Sequence, residues 1–176
     1  MSSARSPRHR AREFVVQGLY QWQVGGQDEA AITVQAESVP GFDKADNALY
    51  TNLLHGALTD AADLRGDIEP YVSRPWNEIS PIERCILLLA VFELKCQPET
   101  PYRVVINEAI ELAKTFGGTD GHKFVNGVLD KIAPTLRPFD SKVSSPVRPA
   151  LIAVPASTVS TTVEQGNAQQ EISFGD

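Results

Sequence analysis

Residues 80–95 read SPIERCILLLAVFELK, and this stretch decides the fold. Ser80 precedes Pro81 and stands three residues before Glu83. That is the spacing of a capping box with proline at the first helical position, so a helix is predicted from here through Lys95. From Cys85 to Phe92 the run is apolar on every side of that helix, not along one stripe. A helix that is apolar all round belongs at the centre of a bundle. Its eight residues fall far short of the ~20 that span a bilayer.

The helical period continues in both directions. Downstream, Gln97-Pro98 stops the central helix. Thr100-Pro101 opens another through Phe116, and Gly117-Gly118 ends it. Thr119 or Asp120 caps a last helix with the stripe Phe124, Val125, Val128, Leu129, Ile132, Ala133 and Leu136. Upstream, Ala11, Phe14, Val15, Gly18, Leu19 and Trp22 form one stripe, ended by Gly25-Gly26. A short helix follows over Asp28–Glu37, then a loop over Ser38–Ala45. One long helix is traced by Leu49, Leu53, Leu54, Ala57, Leu58, Ala61, Leu64 and Ile68. Prolines 70 and 75 predict a kink or short turn near Tyr71. No segment alternates with period two long enough to need a sheet. The expectation is an all-α fold of two small packed bundles, roughly residues 5–75 and 76–137. Residues 138–176, with four Pro, six Ser, three Thr and no Trp or Tyr, read as a flexible tail.

Composition narrows the function. The chain has 176 residues, 42% of them hydrophobic, with 16 Lys+Arg against 22 Asp+Glu and a net charge of −6. On average, that argues against a nucleic-acid partner. The distribution argues otherwise. Residues 1–12 hold Arg5, Arg8, Arg10 and Arg12 and no acid, a local charge of +4, whereas residues 13–137 carry −8 and residues 138–176 carry −2. No secretory signal opens the chain. Cys85 and Cys96 are too far apart along one helix for a disulfide, so both read as buried small hydrophobes in a reducing cytoplasm.

Catalytic and metal chemistry find little support. The three histidines, His9, His55 and His122, lack ligand spacing, and there is no Cys-x-x-Cys or Gly-x-Ser-x-Gly. Glu108 and Glu111 lie one turn apart, but such pairs are routine on a solvated face, where Glu111 can meet Lys114. Gly117–Lys123 lacks the Gly-Lys-Ser/Thr ending of a phosphate loop. It does set His122, Lys123 and Phe124 at a helix N-terminus, whose free N–H groups suit phosphate and whose aromatic ring suits a base. Alone, this segment reads as an ordinary helix start. With four arginines feeding into a continuous helical pattern, nucleic-acid binding becomes the better reading.

Several stretches resemble the bacterial transcription antitermination factor family NusB. They are Arg8–Glu13 (RHRARE), Gln17–Trp22 (QGLYQW), Pro101-Tyr102, Asn107–Lys114 (NEAIELAK) and, most strongly, His122–Lys131 (HKFVNGVLDK). Together they span about residues 8–137. The resemblance implies two helical bundles, no enzyme activity and no cofactor. It implies binding of boxA RNA with NusE, a small-subunit ribosomal protein, in a complex with RNA polymerase, NusA and NusG on ribosomal RNA operons. Residue by residue, it implies an RNA surface of Arg8, Arg10, Arg12, Lys123 and Phe124, joined by His122, Asn126 and Tyr71. Arg5 enters on charge alone. It implies a NusE face that includes Tyr20 and Glu83. Asn107 and Glu108 are family markers with no role beyond inter-helix bonding. His9 within the arginine run and Pro75-Trp76 depart from the family pattern, and the tail is an addition. A homodimer of the free protein stays open. NusB-like domains also occur fused to ribosomal RNA cytosine methyltransferases, but that reading needs a further α/β domain. A helical interaction module with an incidental arginine arm is the alternative.

Overall fold

In the computed structural model, residues 5–138 are described. Residues 1–4 lie outside them, as do residues 139–176, which hold all but the first residue of the tail read above. Seven α-helices follow in order: α1 (Pro7–Gly25), α2 (Glu29–Ser38), α3 (Asn47–Thr59), α4 (Ala61–Ile68), α5 (Pro81–Cys96), α6 (Tyr102–Phe116) and α7 (Gly121–Leu136). Short 3-10 turns lie at Phe42–Lys44, Glu69–Tyr71 and Trp76–Glu78, and no strand occurs among the described residues.

Local chemistry sets the helix ends. Ser6 caps α1, its Oγ accepting from the His9 N–H, with Pro7 in the first turn. Gly26 closes α1 in the left-handed region, at φ 64°. Asp28 caps α2 by accepting from Ala31, and Asp46 caps α3 by accepting from Leu49.

The central helix sits where its composition requires. α1, α2 and α3 pack together, as do α5, α6 and α7, and α5 also touches α1, α3 and α4. Cys85, Ile86, Leu87 and Val91 are fully buried. α3 approaches α5 so closely at Gly56 that a Cβ there would collide with the Phe92 ring.

Four sequence expectations are corrected. The long third helix breaks at Asp60, giving α3 and α4. The bend lets Leu53, Leu54 and Ala57 on one side of it and Leu64 and Ile68 on the other all be buried. Ser80 makes no side-chain cap bond, so the capping box does not form; Glu83 turns to Arg74 instead. Asp120 likewise makes no side-chain cap bond on α7, because its carboxylate is drawn to Lys123. Cys85 is buried, but Cys96, the last residue of α5, is exposed.

The C-terminal end of α5 is held by a residue the sequence did not signal. The buried Arg137 donates to the carbonyls of Glu93, Leu94, Gln97 and Thr100, at 2.5–3.0 Å. A helix leaves its last carbonyls without intrahelical partners, and one planar cation gathers that of Leu94 together with those of Glu93, Gln97 and Thr100 beside it.

Candidate nucleic-acid interface

The basic arm is helical from Pro7, so its arginines point in different directions around α1. Arg8 is exposed, with Asp46 3.9 Å away. Arg5 is exposed and pairs with Glu13 at 2.6 Å. Arg10 is half-buried beside Gly41, its Nε buried without a hydrogen-bond partner. His9 lies between two carboxylates, 2.7 Å from Glu108 and 3.6 Å from Glu13.

Arg12 differs from the rest. It is 2% exposed, and it grips Glu93 of α5 with Nε at 2.9 Å and Nη2 at 2.5 Å. Its Nη1 lies 3.6 Å from Glu108. Burial opposes its charge, but the bond to Glu93 and the fields of Glu93, Glu108 and Asp46 outweigh burial and raise its pKa above the usual arginine value. The expectation that Arg12 faces RNA gives way to a different placement: it ties α1 to α5 in the interior. Glu108 makes the inter-helix bonding expected of it, joining α6 to α1 through His9 and Arg12.

A second cluster opens α7. Lys123 is exposed and pairs with Asp120 at 3.0 Å. Phe124 is half-buried, with the Arg74 guanidinium 4.5 Å from its ring centroid. Tyr71 bonds Thr135 of α7 at 3.1 Å. Thr135 is eleven residues beyond Phe124, about three turns, so both lie on one side of α7. The Tyr71–Arg74 segment therefore reaches that side at two heights. His122 and Asn126 lie roughly opposite Phe124 on α7, at 100° per residue. Asn126 lines a cleft of about 310 Å³ with Tyr102, Ile106, Asn107 and Asp130. Of the five predicted residues of this region, Phe124 and Tyr71 thus lie on one flank of α7 and His122 and Asn126 on the other, with Lys123 between them. The ion pairs of the arm run to Glu13, Asp46, Glu93 and Glu108, and those of the α7 cluster to Asp120 and Glu83.

The proposed partner residues meet near the start of α5. Tyr20 is exposed and lines a groove of about 260 Å³ with Val16, Gln17, Gln21, Ile82 and Phe116. Glu83, next to Ile82, is 8% exposed; its Oε2 faces Arg74 Nη2 at 3.4 Å and its Oε1 lies against Gly121. Sequence reading missed Ile82, Phe116 and Arg74. Ile82 and Phe116 look like core positions in the helical pattern. The one signal for Arg74 was a lone arginine before Pro75.

Residues 9–134 match the NusB family. The chain belongs to the NusB family. A NusB transcription antitermination protein of Dechloromonas aromatica (strain RCB) is 57% identical over 76% of this chain and 82% of its own length. A T. maritima NusB structure, 30% identical, superposes with a TM-score of 0.63 over 73% of this chain and 92% of that one. A crystal structure of antitermination factors NusB and NusE in complex with dsRNA shares the fold, at 24% identity and a TM-score of 0.64, covering 73% of this chain and 97% of that chain. The NusB fold is thus the observed all-α architecture, and NusB proteins are transcription antitermination factors, the class to which this chain is assigned.

Proposed function

We propose that this NusB-family chain binds boxA RNA together with NusE and supports processive transcription of ribosomal RNA operons. On this reading it acts in the cytoplasm, in a complex with RNA polymerase, NusA and NusG. The observation that carries the reading is the start of α7, where exposed Lys123 adjoins the partly exposed ring of Phe124 at a helix N-terminus. A cation for the backbone and an aromatic surface for a base are the two elements a single strand needs. Arg8 and Arg5 add exposed charge on α1, and Arg10 is available at its edge. Tyr71 extends the Phe124 side of α7, and His122 and Asn126 its other flank. The relative solved with NusE and RNA supports the pairing of partners. Tyr20 and its groove supply the NusE face, with Glu83 behind.

The test is a titration of a boxA strand against a scrambled strand, with and without NusE. Tighter binding to boxA is expected, most clearly with NusE present. Equal binding to both strands overturns the RNA reading in favour of a helical interaction module.

A further inference from the structure

We infer that Arg74 couples the two proposed surfaces: its guanidinium lies over Phe124 on the RNA side while its Nη2 faces Glu83 on the partner side. The inference rests on the RNA-and-partner reading above and deepens it. Three contacts carry it. Arg74 Cζ lies 4.5 Å from the Phe124 ring centroid. Arg74 Nη2 lies 3.4 Å from Glu83 Oε2. A Cβ at Gly121, the first residue of α7, would lie 3.2 Å from Glu83 Oε1. Glu83 therefore sits between Arg74 and the start of the helix that carries Lys123 and Phe124, next along α5 to Ile82 of the Tyr20–Ile82–Phe116 groove.

The charges give the coupling a sign. In the free protein the Glu83 carboxylate neutralises Arg74 and stands beside the positive end of α7, where it competes with phosphate. A basic partner seated in the groove offers a cation to Glu83. Arg74 is then an unneutralised guanidinium held on an aromatic ring, 44% exposed, and free to bind phosphate or to extend the stack toward a base. Partner and RNA thus strengthen each other's binding, by the same factor in both directions. Arg74 is a positioning residue on the partner side and a phosphate contact once released.

The experiment measures RNA affinity with and without NusE for the wild type, Arg74→Ala, Glu83→Gln and the double variant. Circular dichroism and thermal melts establish that each is folded. In the wild type, NusE is expected to tighten RNA binding about fivefold or more, within the usual range of coupling. It is also expected to steepen the log–log salt dependence by about 0.7, one added phosphate contact. In Arg74→Ala both effects shrink, the affinity gain to below about twofold. Glu83→Gln alone binds RNA more tightly than the wild type without NusE, and that gain disappears in the double variant. A NusE effect of unchanged size in Arg74→Ala, or no NusE effect in a wild type that binds both, overturns the coupling and leaves the RNA reading standing. A wild type that does not bind RNA overturns both.

Discussion

Removing Arg12 separates a structural arginine from Arg8, an arginine proposed to contact RNA. Arg12 and Glu93 are 2% and 1% exposed and joined by two hydrogen bonds across the α1–α5 contact. Arg12→Ala leaves the Glu93 carboxylate in the interior without its guanidinium. Breaking a buried pair by removing one partner costs about 3–5 kcal/mol. For a domain of this size, that lowers the melting midpoint by roughly 10–15 °C. Replacing both residues with apolar ones, Arg12→Met with Glu93→Leu, is expected to restore most of the loss, because neither charge is then stranded. Urea unfolding read by circular dichroism measures stability, and RNA titration across salt concentrations measures phosphate contacts. Arg12→Ala should lose stability and keep its salt slope at a temperature where it is folded. Arg8→Ala should keep its stability and lose about 0.7 of slope. An Arg12→Ala protein within 1 kcal/mol of wild type by this order-of-magnitude scale, with a reduced slope, would refute the assignment.

Four further outcomes follow from individual residues. Arg137→Ala strips the buried carbonyls at the end of α5 of a shared cation and should destabilise the fold by about 3 kcal/mol or more, measured by urea unfolding; a loss under about 1 kcal/mol would show that water replaces the guanidinium. Burial pushes the Cys85 thiol up to about 12, so at pH 8 only about one thiol in 10⁴ is ionised and a thiol reagent should label exposed Cys96 alone until the chain unfolds. The same shift favours the folded state below the ordinary thiol range and is lost as pH rises toward about 12, so alkaline unfolding should ease in Cys85→Ala relative to its own neutral stability less steeply than in the wild type. Asp120→Asn removes the acid 3.0 Å from Lys123 without removing a cap bond, so RNA should bind roughly two- to fivefold more tightly; weaker binding with an intact fold would place Lys123 away from RNA.

The sequence by itself determined the helical class, the order of most helices and the central position of the Cys85–Phe92 run. Those features rest on local chemistry: stripe period, Gly and Pro stops, and caps such as Asp28 act within a few residues. Its resemblance motifs also carried the family. Tertiary structure decided which charges are free. Arg8 and Arg12 look alike in an arginine run, but Glu93, 81 residues away, buries one of them. A sign of this was present: Glu93 is an acid inside an apolar helix, and such a residue needs a partner. Glu83 fits a capping box by spacing, yet a guanidinium from a separate turn claims it. The break at Asp60 and the exposure of Cys96 depend on where one core ends, which no local pattern states. Backbone preference is written in neighbouring residues; the fate of a charge is written in whichever segment the fold brings against it.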